Sequence, residues 1–148
     1  MGESIDLVNN LKVKEVIFNC GPYNDKIYDN ENDNSNVIYT ELNGYKFMFM
    51  GDASVTTEKE IMNIYNLADI DVLKVGHHGS KTSSSKEFID EIKPKYSIIS
   101  VGKNNRYGHP NKEVLNNLEN SKIYRTDQDG SITFKIKDNK LKIESCSP

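Results

Sequence analysis

The sequence predicts an α/β domain, and three observations predict it. Short apolar, β-branched runs alternate with short segments of helical periodicity, the pattern of a layered sheet-and-helix fold. An Asn43-Gly44 step separates two such β runs and marks a tight hairpin, because a type I′ turn needs positive φ at both central positions. Several predicted strands end in glycine-containing loops, where α/β proteins keep their ligands. At 148 residues the chain reads as one domain, 1–148, large enough to bury a core without staples.

Taken in order, Val13 to Phe18 is apolar and β-branched, hence a strand. Cys20 to Asn36 is polar and rich in Asn and Asp, hence a loop. The runs Asn36 to Leu42 and Tyr45 to Met50 flank Asn43-Gly44 as a hairpin that delivers Gly51-Asp52 at its far end. A helix follows, with Thr57 and Glu60 as a capping-box pair and Ile61, Ile64, Tyr65 and Ala68 on one face. Val72 to Val75 is a short strand ending at a double histidine. Ser84 and Glu87 cap a second helix, with Phe88, Ile89 and Ile92 inward, and Pro94 follows its end. Tyr96 to Val101 is a buried strand, and Pro110-Asn111 opens a third helix that turns Val114, Leu115 and Leu118 inward. Lys122 to Arg125 is a strand. After the turn from Asp127 to Gly130, a last hairpin runs through Ile132, Phe134 and Ile136, then Leu141 and Ile143. There is no internal repeat.

The bulk properties exclude some classes of function. A net charge of −3 gives no global attraction to nucleic acid, so binding a polyanion requires a local basic patch. No segment approaches the roughly 20 apolar residues of a membrane span, and Met1 to Ser4 lacks a signal-peptide pattern. Cys20 and Cys146 match no metal spacing and read as two free thiols of a reducing compartment.

The residues able to carry chemistry cluster in the strand-end loops. Asp52, beside Gly51, is placed to offer a carboxylate to a metal, or simply caps the turn before a helix. His77 and His78 lie between Gly76 and Gly79, which argues for an unusual backbone. Adjacent side chains at a strand end point in opposite directions, so one histidine faces a site and the other packs. His109 precedes a helix N-terminus, which disfavours its protonated form and suits a neutral ligand; the plain alternative is a surface loop histidine. Gly79 to Ser84 is not a Walker loop, since Ser80 intervenes between Gly79 and Lys81. Its hydroxyls, amides and Lys81 either hold a phosphate oxygen or cap the helix. Asp127 and Asp129 do not continue into a calcium loop and read as a turn.

Together, Asn34-Ser35, Phe49 to Ala53, Ala68 to Ser84, Pro94 to Gly102, Asn105 to Pro110 and Tyr124 to Gly130 resemble the C-terminal half of a metallo-β-lactamase-fold domain. They are similar to the domain found in the ComEC family of DNA-uptake proteins. The likeness spans residues 34 to 134, with a weaker match over Val13 to Tyr23. The resemblance implies a partial αββα sandwich, a mixed or antiparallel sheet with flanking helices, that binds zinc or manganese at the sheet ends. A metal-bound hydroxide would attack a phosphodiester in nucleic acid. By position, Asp52, His77 and His109 would be metal ligands, Asp52 and His78 catalytic, and Ser80 and Lys81 contacts to phosphate.

The departure from that family is large. Its opening His-x-(His/Asp)-x-Asp-His motif is absent, and no histidine precedes His77. The N-terminal β-rich half is absent too, and the stretch between Asp25 and Asp29 is shorter than the family's. A dimetal site needs about five or six protein ligands, more than this chain offers. Two expectations follow: a hydrolase domain whose ligand set is completed elsewhere, or a non-catalytic interaction module. In the second, half a sandwich leaves one sheet face bare, which predicts a homo-oligomer. Composition points to the cytoplasm, and kinship with a DNA-uptake channel points outside the membrane.

Overall fold

In the computed structural model, residues 15–17 and 35–146 are described. Most of the first predicted strand, the Asn- and Asp-rich loop as far as Asn34, and Cys20 lie outside them. Six strands form one sheet in the order of the chain: β1 (Glu15–Ile17), β2 (Val37–Leu42), β3 (Tyr45–Phe49), β4 (Val72–Lys74), β5 (Tyr96–Ile99) and β6 (Lys122–Arg125). β1, β2 and β3 pair antiparallel, and β3 through β6 pair parallel. The result is a mixed α/β partial sandwich, as the sequence predicts. Asn43 and Gly44 have φ of 49° and 83°, the conformation the hairpin turn requires.

The parallel half explains where the helices go. Each crossover, through α1 (Val55–Ile64), α2 (Lys86–Ile92) and α3 (Lys112–Asn117), adds the next strand on the same side of the last. Right-handed crossovers in a constant direction place every helix on one face of the sheet. Ile61, Phe88, Ile89, Ile92, Val114 and Leu118 accordingly form a single core with Met48, Leu73 and Ile99. β4 and β5 carry consecutive apolar residues, Val72-Leu73 and Ile98-Ile99, because both of their faces are buried. Phe88 is 1% exposed, and its truncation to Ala would cost about 3–5 kcal/mol.

The opposite face receives a second, two-stranded sheet, β7 (Ser131–Lys137) and β8 (Lys140–Cys146), entered through the helical turn α4 (Thr126–Asp129). Along β7, exposed residues alternate with Ile132, Phe134 and Ile136, which pack with Leu141 against Phe47, Val72 and Ile98. Phe47 and Phe134 meet edge to face, with centroids 6.1 Å apart. The Tyr45 hydroxyl donates to Asn139 O at 2.9 Å and accepts from Leu141 N at 3.1 Å, fastening the hairpin to the sheet. The face expected to be bare is therefore partly covered by the chain's own hairpin. A cleft of about 740 Å³ remains between the two sheets.

The helix starts differ from expectation. α1 is capped by Ser54, whose hydroxyl accepts from Thr56 N at 3.1 Å, not by Thr57 and Glu60. Thr57 and Glu58 are buried, and Ile64, expected inward, is 70% exposed at the last turn. α2 is capped by Ser85 in place of Ser84. A buried acceptor explains the shift: Glu58 takes the N–H groups of Ser84 and Ser85 and the Ser85 hydroxyl. A carboxylate from α1 thus does the work assigned to Glu87. Asn111 caps α3 at the place where Pro110-Asn111 is expected to open that helix.

Candidate active site

The C-terminal ends of β3, β4 and β5 lie side by side, so the loops that follow them share one edge of the sheet. That edge is where open α/β sheets bind ligands. It brings together Asp52 after β3, His77 and His78 after β4, and His109 after β5, residues far apart in sequence.

The Gly76–Gly79 segment is a 3₁₀ turn in which His77 and His78 have φ of 44° and 55°. Left-handed backbone at two successive residues replaces the alternation of an extended strand. The ring centroids of His77 and His78 are 6.4 Å apart, and those of His77 and His109 5.9 Å apart; His78 borders the hollow beside His109, while His77 turns to the Thr82 hydroxyl. His77 N donates to Gly51 O at 2.9 Å, which ties the double-histidine turn to the aspartate turn.

His78 is oriented by its partners. Its Nδ1 lies 2.7 Å from Ser100 O, and a carbonyl only accepts, so Nδ1 carries the proton. Nε2 then faces outward, 3.8 Å from Asp52 Oδ1. Both side chains are about half exposed, at 50% and 48%. His77 Nδ1 is 3.3 Å from the Thr82 hydroxyl. His109 is half-buried and held by Asn105, which accepts from its N–H at 2.9 Å and donates to its carbonyl at 2.7 Å. Burial, and then the neighbouring His77 and His78, hold the His109 imidazole below the ordinary histidine range, which favours its neutral form.

The serine loop divides between its two readings. Ser80 is buried, and its hydroxyl lies 3.1 Å from that of Thr82. Ser83 is buried and donates to Gly76 O at 2.9 Å. These hydroxyls hold the loop together. Lys81 is exposed at its tip.

Sequence reasoning missed several contributors. Ser35 accepts from Asp52 N at 3.2 Å. Thr126 accepts from Val101 N at 2.8 Å and donates to Val101 O at 2.9 Å, fixing the root of the His109 loop. Lys74 is half-buried and donates from Nζ to Val75 O at 2.8 Å; burial pulls it below the ordinary lysine range, and the charge of Asp52 offsets part of that shift. Lys74 stands out as a charge inside an apolar run; Ser35 and Thr126 lie in the runs that carry the resemblance, but nothing local assigns them a role. His78, Asn105, Tyr107, His109 and Thr126 border one open hollow of about 480 Å³.

Metal capacity is limited. Among the described residues, no group of three His, Cys, Asp or Glu is arranged to hold an ion. Asp52 and His78 approach each other closely, but His77 and His109 form a second pair. A catalytic zinc takes about three protein ligands, so the described residues do not complete such a site.

No protein-family profile matches the chain. It is 45% identical over 109 residues to ComE operon protein 3 of Bacillus subtilis, across 72% of this chain and 14% of that protein. It is 35% identical over 108 residues to competence protein ComA of Neisseria gonorrhoeae, across 70% of this chain and 16% of that protein. Identity to Recombination protein 2 of Haemophilus influenzae is 32% over 116 residues, across 77% of this chain and 14% of that protein. The chain is therefore homologous to a segment of bacterial competence proteins and spans 14–16% of the length of these relatives.

Proposed function

We propose that this chain serves competence-linked DNA uptake as one wall of a phosphodiester-hydrolysing site of metallo-β-lactamase type. The observation that carries this reading is the meeting of Asp52, His77, His78 and His109 from three separate strand-end loops. Homology to competence proteins supports the biological context. In this reading His78 gives or takes a proton at Nε2, while Ser100 fixes its tautomer and Asp52 stands 3.8 Å from that nitrogen. His109, kept neutral, accepts a hydrogen bond or serves as a ligand. Lys81 meets phosphate oxygens at the rim.

Zinc or manganese would supply the attacking hydroxide in such a site, but the described residues fall short of its ligand set. This chain's own contribution is thus to bind and orient the phosphodiester and to move a proton. The test is metal content of the purified chain by mass spectrometry, with zinc and manganese titrations and an assay on single-stranded DNA. Cleavage that is lost in Asp52→Ala supports the reading. Cleavage unaffected by Asp52→Ala overturns it.

A second reading has its own observation. The cleft between the sheets is lined by Phe47, Phe49, Val72, Ile98 and Phe134. The buried Thr40 hydroxyl at its edge has no partner among the described residues. An apolar cleft of this kind fits an interaction module that self-associates through this face. Light scattering decides it: a dimer that Phe49→Lys dissociates supports this reading, and a monomer at high concentration removes it.

A further inference from the structure

We infer that Tyr107 is a stacking platform for an unpaired nucleobase, placed so that the adjoining phosphodiester runs toward His78 and His109. This rests on the proposal that the site handles nucleic acid and specifies which form it takes. Tyr107 is 84% exposed, one of two large apolar side chains so exposed among the described residues, and the other, Ile64, lies at the end of a helix. Tyr107 nevertheless has a ring neighbour. Its ring lies almost parallel to that of His109, at 19°, with centroids 5.9 Å apart. His109 in turn is clamped at both backbone groups by Asn105. One face of the tyrosine is therefore engaged and the other is presented to solvent beside the hollow that His78 and His109 border.

That arrangement suits a flat, apolar, π-faced ligand. Single-stranded nucleic acids are held by aromatic rings that stack on bases together with cations that follow the backbone. The cations are in place: Lys103 and Arg106 are exposed on the same loop, and Lys81 is exposed on the facing one. Exposed cations on these two loops are what a chain of net charge −3 needs to attract a polyanion locally. A base inside a duplex has both faces covered, so the platform selects single strands or unpaired ends.

The chain contains no tryptophan, which gives a clean reporter. Tyr107→Trp, a larger stacking ring, would be titrated with a thymidine oligonucleotide, an abasic phosphodiester strand of equal length, and a closed duplex. The expected result is fluorescence quenching by the thymidine strand alone. Separately, Tyr107→Ala should weaken thymidine-strand binding by about tenfold or more, the scale of one stacked base, and leave abasic-strand binding unchanged. Equal affinity for the thymidine and abasic strands, a preference for the duplex, or unchanged affinity in Tyr107→Ala overturns the platform. Absence of any strand binding overturns it as well. The hydrolytic reading fails separately, through cleavage that is absent or indifferent to Asp52→Ala, while base-dependent quenching persists.

Discussion

His78 donates its Nδ1 proton to the carbonyl of Ser100 across 2.7 Å, a bond that joins the loop after β4 to the end of β5. Because the carbonyl can only accept, this contact sets the tautomer and aims Nε2 at Asp52. His78→Asn tolerates the left-handed backbone and, with an exposed side chain, should change stability by no more than about 1 kcal/mol. In the proposed reading it removes a proton-transfer group whose worth is about 10²–10⁴ in rate. The comparison is melting temperature against DNA cleavage rate. Full activity in a well-folded His78→Asn would remove His78 from the chemistry.

Gly79 locks the two histidine loops together. Its φ is +80°, and a Cβ built there would lie 2.7 Å from Pro110 Cβ. Its carbonyl also accepts from Asn111 N at 2.8 Å. Gly79→Ala therefore combines backbone strain with a clash against a ring that cannot swing aside, and should cost about 2 kcal/mol or more. Urea denaturation measures the cost, and the imidazole resonances of His109 should shift with it. A variant as stable as the parent would show that the loops are not rigidly coupled.

The elements were largely legible because each has a local signature. Asn43-Gly44 specified a hairpin, and the runs at Val72 and Tyr96 specified buried strands within a residue or two of their observed ends. What could not be read was long-range. Nothing near Ser84 announces that Glu58 will satisfy its amide, so the cap was placed one residue early. The positive φ of His77 and His78 was equally invisible: the flanking glycines signalled an unusual backbone, but only the packed loops determine that the histidines themselves adopt it. The candidate residues were found by type and position, whereas their pairing, His78 with Asp52 and His77 with His109, came from the tertiary fold.

The Glu58 carboxylate supplies a pH-dependent contribution of definite sign. Burial raises its pKa above the ordinary glutamate value, and the donors from Ser85 and Ser84 offset only part of that rise. The folded chain therefore holds this proton more tightly than the unfolded chain does. Stability should fall as pH rises from the ordinary glutamate value through the raised one, then level off. Glu58→Gln should flatten that slope. Glu58→Ala, which strands two buried amides, should cost about 2–3 kcal/mol. Urea midpoints followed across mildly acidic pH would show the slope, and parallel curves for the parent and Glu58→Gln would rule it out.

Asp127 supplies the opposite sign at the other end of the site. Arg125 holds it in a two-point pair, Nε to Oδ1 at 3.0 Å and Nη2 to Oδ2 at 2.6 Å. That hydrogen bonding lowers the Asp127 pKa below the ordinary aspartate value. The pair's contribution is thus fully present above the ordinary value and is lost as pH falls through the lowered one. Since Thr126, between the partners, fixes Val101, loss of the pair should also loosen the root of the His109 loop. Asp127→Asn is expected to cost about 1 kcal/mol at neutral pH. The difference from the parent should vanish in strong acid, where both chains lack the charge. A gap that persists there would mean that Asp127 acts through packing and hydrogen-bond geometry, with its charge contributing nothing.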